Sequence, residues 1–147
     1  MNTVDCRNIE KETEKNVDYR KVIKTVDGMQ LVLMSLNVGE TIPCETHNGA
    51  GAQFIRIESG NGKLTTSDKN VCKLSTGTSL LIPNGIRHCI ENTSKSQPMK
   101  LYSVYTPVQH ASNRRDARQP KEEAEEKPTS KAPRRAISKK HTMKLRK

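Results

Sequence analysis

The strongest constraint on this chain is a rhythm of short apolar segments broken by turn residues between Gln30 and Tyr105. Residues 30–36 (QLVLMSL) form an unbroken apolar run of strand length. Residues 53–58 (QFIRIE) alternate, with Ile55 and Ile57 set between Phe54, Arg56 and other flanking residues. Gly60-Asn61-Gly62 and Asp68-Lys69-Asn70 supply tight turns, and Gly77, Pro83-Asn84-Gly85 and residues 94–98 punctuate the remainder. Residues 63–66, 71–74, 79–82, 88–91 and 100–105 then read as further strands. Seven or eight strands spaced about ten residues apart, with no convincing internal helix, predict an all-β sandwich or barrel closed as a jelly roll.

The rhythm has ends. Residues 1–28 are charged and weakly patterned, a lead-in that either a short helix or an extended strand satisfies. Residues 29–108 are the expected barrel. Residues 109–147 contain 13 Lys and Arg against 5 Asp and Glu, and their large aliphatics are Ile137, Met143 and Leu145. Such a segment buries too little to offset its ordering entropy and is expected to be disordered, with a transient helix at most over 121–127. Of the formal charge of +10, only +2 therefore belongs to residues 1–108. The basic tail suits a polyanion, nonspecific nucleic acid included, through clusters such as Arg134-Arg135, Lys139-Lys140 and residues 144–147. From Gln109 onward no aromatic residue is interleaved, so base stacking is not expected there.

No stretch reaches the apolar length needed to cross a bilayer, and residues 1–15 lack the apolar core of a signal peptide. The four cysteines, Cys6, Cys44, Cys72 and Cys89, show no CxxC pair. The expectation is a cytoplasmic chain with free thiols, a nuclear location being the alternative that the basic tail allows.

Two spacings carry the chemistry. Gly77, five residues, Pro83-Asn84-Gly85, two residues, His88, three residues and Asn92 describe a strand, a reversal and a returning strand that begins with an inward imidazole. Upstream stand Gly39, five residues, Glu45-Thr46-His47, five residues, Gln53, six residues and Gly60. Glu45 and His47 are two apart on one strand, so their side chains share a face. If the barrel closes, Glu45, His47, Gln53 and His88 converge.

In their order and spacing these two blocks resemble the paired motifs of the cupins. From about Asn8 to Pro107 the chain is similar to small single-domain cupins of the Cupin_2 type, in the RmlC-like jelly-roll family. The resemblance implies a jelly-roll barrel with a metal site in its mouth. The family's commonest ligand set is three histidines and one glutamate. Here Glu45 stands in place of the first histidine and Gln53 in place of the glutamate. Two imidazoles and a carboxylate remain, the donor set of a non-haem iron triad, with Gln53 as a weak fourth oxygen donor. Fe, Mn, Ni or Zn all suit such a set. One carboxylate offsets only half of a dication's charge, so binding is expected to be looser than in the commoner set.

The bland alternative makes His47 and His88 hydrogen-bonded core residues of an empty shell. Cys44 and Cys89 are expected to point away from the pocket, Cys89 as a small buried hydrophobe. Arg56 is expected to be a solvated outer cation; Phe54, Tyr102 and Tyr105 to be core or dimer-interface residues; and His110 and His141 to be solvated. Two functions follow as expectations. One is a metal-dependent small-molecule enzyme of the isomerase or dioxygenase kind. The other is a non-catalytic ligand-binding or scaffold cupin whose tail recruits a polyanion. A homodimer is expected by analogy, and a membrane partner is not.

Overall fold

A computed structural model of the chain describes residues 3–121. The first element is α1 (Ile9–Lys15). The Asn8 side chain caps it by accepting the Lys11 N–H at 2.9 Å, and Glu10 and Glu12 in the first turn with Lys15 in the last complement the helix dipole. Two strands follow, β1 (Arg20–Val26) and β2 (Met29–Leu36). Asp27 and Gly28 join them with φ of 40° and 81°, a two-residue turn whose twist suits a hairpin. The expected lead-in thus supplies both a helix and a full strand.

The remaining strands are β3 (Thr41–Glu45), β4 (Ala52–Ser59), β5 (Gly62–Thr66), β6 (Val71–Leu74), β7 (Ser79–Pro83), β8 (His88–Asn92), β9 (Met99–Thr106) and β10 (Arg115–Asp116). They form two antiparallel sheets, one ordered β10-β1-β2-β9-β4-β7 and the other β3-β8-β5-β6. No ladder joins the two sheets among the described residues, so the expected closed barrel is instead a pair of facing sheets. The edges explain this. β6 has 4 residues, β10 has 2, and β3 is bulged, so none offers a long ladder for closure.

Both sheets turn their apolar faces inward. Val32, Met34, Ile55, Ile57 and Leu101 of the larger sheet meet Ile42, Leu64, Leu74 and Ile90 of the smaller one in a single cluster. Burying each such side chain contributes about 1.5–3 kcal/mol. The strict alternation of β9 sends Met99, Leu101, Ser103 and Tyr105 inward. Gly60 turns the chain from β4 into β5 at φ 95°, and a Cβ there would lie 2.6 Å from the Pro98 carbonyl oxygen, so only glycine fits. Asn92 is a structural clamp. Its amide donates to the carbonyls of Leu36 (3.0 Å) and Gln97 (2.9 Å), and its oxygen accepts the Ser94 N–H at 2.8 Å.

The ordered body does not stop at residue 108. β10 pairs with β1, Arg20 meets Asp116 at 2.8 Å, and Arg115 meets the buried Asp18 at 2.7 Å. Gln119 accepts the Thr41 N–H at 2.8 Å. The buried Gln30 donates to the His110 carbonyl at 2.8 Å, while its oxygen accepts the His110 N–H at 3.0 Å. The tail expected from residue 109 therefore includes a strap, 109–119, that returns across the larger sheet. Hydrogen bonds and ion pairs hold it where apolar area is scarce. The expected 121–127 helix and His141 lie outside the described residues, except Lys121. Among the described residues no helix is long and apolar enough to cross a membrane.

Candidate metal centre

β3 and β8 bring the two sequence blocks together. Their register sets Thr41 opposite Glu91, Ile42 opposite Ile90 and Glu45 opposite His88, with a bulge between Ile42 and Glu45. Pro43 falls in that bulge, where its missing N–H costs no ladder bond. Two residues of β3 thus face one of β8, and the Glu45 carboxylate is delivered to the same side as the His88 ring. His47 lies just beyond the end of β3, not on it as expected, yet its ring turns back to the same point.

Glu45 Oε1 lies 3.2 Å from His47 Nε2 and 3.4 Å from His88 Nε2. One ligand atom from each of the three residues lies within 4.8 Å of the others. The side chains are 31%, 13% and 1% exposed for Glu45, His47 and His88, so the site opens to solvent on the carboxylate side.

Each imidazole is held from behind. His88 Nδ1 is 2.9 Å from the Ile86 carbonyl, an acceptor, so Nδ1 carries the proton and donates. When Nδ1 alone carries a proton, the buried Nε2 presents a lone pair; it makes no well-formed hydrogen bond, and the Glu45 Oε1 atom is 3.4 Å away. A nitrogen and a carboxylate oxygen 3.4 Å apart call for positive charge at that point, either a proton on Nε2 or a metal ion between the two. His47 Nδ1 faces Gln109 Oε1 at 3.1 Å, and Gln109 is fixed by its own amide N–H donating to the Pro107 carbonyl at 3.1 Å. This is the arrangement in which an outer acceptor sets the tautomer of a ligating histidine.

Electrostatics follow this geometry. Burial raises the Glu45 carboxyl, but hydrogen bonds and charge from His47 and His88 outweigh it and hold the group at about 2. Its hydrogen bond to Glu45 raises His47 against the opposing effect of burial, and Gln109 and Gln53 add to the rise. Without a metal, His47 sits between two acceptor oxygens and favours the doubly protonated ring.

Gln53 is buried on the inner face of β4, where its Nε2 donates to Ser103 Oγ at 3.2 Å. Its buried Oε1 makes no well-formed hydrogen bond but lies near enough to His47 to favour the protonated ring, so it reaches the site as an oxygen donor. The Tyr105 ring stands edge-on to His47 at 5.6 Å between centroids and continues to His110 at 5.4 Å. Tyr105 is therefore a wall of the site. His110 is packed on that wall rather than solvated, with Arg114 3.2 Å from its Nδ1.

Three expectations change around the site. Cys44 and Cys89 do face away from the donors, but they form a disulfide with a Cα–Cα distance of 4.1 Å. Register is the reason: when Glu45 opposes His88, the residue before one and the residue after the other become neighbours on the opposite face. The free-thiol expectation holds for Cys6 and Cys72, both exposed, and fails for this pair. Arg56 is an outer, 40% exposed cation, but it is bound to the buried Glu58 at 2.9 Å. Of the core and dimer-interface alternatives for Phe54 and Tyr102, the core one changes: the rings lie 6.1 Å apart, tilted by 45°, only partly buried on the outer face. Sequence reasoning missed Gln30, Ser103 and Gln109, polar residues whose partners lie far along the chain.

Comparison with known proteins agrees with this fold. Residues 32–105 match the Cupin_2 family, described as a cupin domain. An uncharacterized protein of Acanthamoeba polyphaga mimivirus is 40% identical over 82% of this chain and 76% of its own length. The uncharacterized protein YrkC of Bacillus subtilis (strain 168) is 35% identical over 70% of this chain but only 57% of that protein. The crystal structure of BH2720 from Bacillus halodurans superposes with a TM-score of 0.76 at 34% identity, covering 84% of this chain and 94% of that one. On these grounds the chain belongs to the Cupin_2 family of cupin-domain proteins.

Proposed function

We propose that this cupin holds one divalent metal ion, Fe, Mn, Ni or Zn, through Glu45, His47 and His88, and uses it as a metal-dependent small-molecule enzyme of the isomerase or dioxygenase kind. The observation that supports it best is the convergence of one ligand atom each from Glu45, His47 and the buried His88, whose Nε2 lies 3.4 Å from the Glu45 carboxylate. Bound there, such an ion supplies Lewis acidity or redox capacity at an open coordination position. The chain's own residues do the rest. The Ile86 carbonyl and Gln109 engage both Nδ1 atoms and so would leave both Nε2 atoms free to hold an ion, while Ser103 binds the Gln53 amide nitrogen and would leave its oxygen for ligand or water.

Metal analysis of untagged protein tests this reading. We expect close to one equivalent in the wild type and loss of it in the His47→Ala, His88→Ala double variant. Substoichiometric metal in both rejects it.

The second reading, a non-catalytic ligand-binding or scaffold cupin that recruits a polyanion, is favoured by the tail. Residues 122–147 carry 9 Lys and Arg against 4 Asp and Glu. Filter binding of full-length chain and of a chain ending at Lys121, at low and high salt, decides it. Equal retention of nucleic acid by both removes the tail as the binding element. Either reading includes pairing of two copies through the outer face of the larger sheet. There Leu81, 79% exposed, lies in one cross-strand row with Phe54, Val104 and Leu31. A monomer mass by light scattering overturns that part.

A further inference from the structure

The Cys44–Cys89 bond sits on a seam with few other ties near Glu45: past it, the Gly85 N–H donates to the His47 carbonyl at 2.7 Å and the Asn84 amide to the Gly49 carbonyl at 2.6 Å. Among the described residues β3 is the edge strand of its sheet, with β8 as its one partner strand. The ladder between them is interrupted by the bulge that spans Pro43 and Cys44. Beyond Glu45 the chain leaves the sheet for irregular structure up to Ala52. Glu45 thus rides on the last residue of a short, bulged edge strand, and such segments open locally at low cost. The disulfide bridges this seam one residue before Glu45 and one residue after His88.

The bond is also reachable. Both cysteines are half-buried on the outer face of the smaller sheet, and Cys89 lies in a cross-strand row with Thr65 and the 63% exposed Val71. The inner face of the same strands carries Ile42, Ile90 and His88, all buried. One face therefore meets solvent-borne reagents while the other holds the site.

We propose that Cys44–Cys89 is a reversible thiol–disulfide exchange site that locks the β3 edge against β8 and so controls whether Glu45 stays in register with His88. The co-reactant is a dithiol. One of its thiolates attacks a protein sulfur, breaks the S–S bond and forms a mixed disulfide, which its second thiol displaces. The chain gains two electrons and two protons as two thiols, and the dithiol leaves as its own disulfide. Reduction frees the end of β3, and the carboxylate loses its fixed place opposite the imidazole. The consequence for metal affinity rests on the metal reading above; the unlocking of β3 does not.

The test uses full-length chain prepared under air, the same chain reduced with dithiothreitol and desalted under nitrogen, and a Cys44→Ser, Cys89→Ser variant. Thiol titration after unfolding in denaturant should count two thiols in the first sample, Cys6 and Cys72, and four in the second. Hydrogen–deuterium exchange should be about tenfold faster over residues 41–45 in the reduced chain and the variant, with β2, β4 and β9 unchanged. Calorimetric titration with Mn²⁺ should show at least about tenfold weaker binding in those two samples. Four thiols in the air-prepared chain, unchanged exchange over 41–45, or faster exchange throughout both sheets overturns the proposal. Uptake of no Mn²⁺ by the oxidised chain, with the exchange pattern as expected, rejects the metal assignment alone.

Discussion

Stopping the chain after residue 108, where its apolar rhythm ends, should unfold part of the body, whereas stopping after Lys121 should not. The shorter chain loses β10 and Asp116, the carboxylate 2.8 Å from an Arg20 whose side chain is 5% exposed. It also loses Arg115, which meets the buried Asp18, and Gln119, which accepts the Thr41 N–H. Removing one member of a buried ion pair costs about 3–5 kcal/mol, because the remaining charge stays desolvated. Each lost hydrogen bond adds about 1 kcal/mol, not fully additively. For a domain of this size, 3 kcal/mol corresponds to a fall in Tm on the order of 10 °C. Urea and thermal melts of the two truncations, with Asp116→Asn in the full-length chain as the point control, measure it. If the 1–108 chain lies within about 1 kcal/mol of the 1–121 chain, the returning strap contributes no stability, contrary to this prediction.

Asn92→Ala should destabilise the fold by about 2–3 kcal/mol in urea melts, because it orphans the Leu36 and Gln97 carbonyls, while metal uptake stays intact. Gln109→Ala should weaken Mn²⁺ binding about tenfold with little change in Tm, since it removes the acceptor behind His47 and one exposed hydrogen bond to the Pro107 carbonyl; rescue by Gln109→Glu separates positioning from packing. The metal-free pair has a pH signature. Glu45, depressed from 4.5 to about 2, stabilises the fold above 4.5 and loses that contribution as pH falls toward 2. His47, raised from 6.5, contributes fully below 6.5 and loses its contribution as pH climbs through its folded value. The pair should therefore contribute most between pH 4.5 and 6.5. Comparison of melts with a Glu45→Gln variant checks this.

The legible parts of this molecule are those written locally. The Gly77–Asn92 spacing places a reversal before His88 because proline and glycine dictate backbone angles without help from distant residues. Glu45 and His47 could be named because their block and the His88 block occur together. Register was not legible. That Glu45 opposes His88 depends on a bulge at Pro43, and the Cys44–Cys89 bond follows from that register across a separation of 45 residues. The strap was hidden for another reason. Its contacts are charged and polar, made to Asp18, Arg20 and Gln30, and no apolar period marks them. Gln30 itself reads as one polar residue opening an apolar strand, and its importance shows only through the His110 backbone it binds. Closure into a barrel failed as an expectation because strand count alone does not reveal how short and irregular the edges are.

The disulfide itself closes a loop of 45 residues, which in the chain-entropy view stabilises the fold by about 4 kcal/mol, so its role at β3 must be judged by local exchange and not by Tm alone.

The most direct measurement is anomalous diffraction at the manganese edge from crystals grown with Mn²⁺. One peak should appear within about 2.0–2.3 Å of Glu45 Oε1, His47 Nε2 and His88 Nε2. Well-ordered density for all three side chains with no peak among them, or a peak held by other residues, contradicts the account.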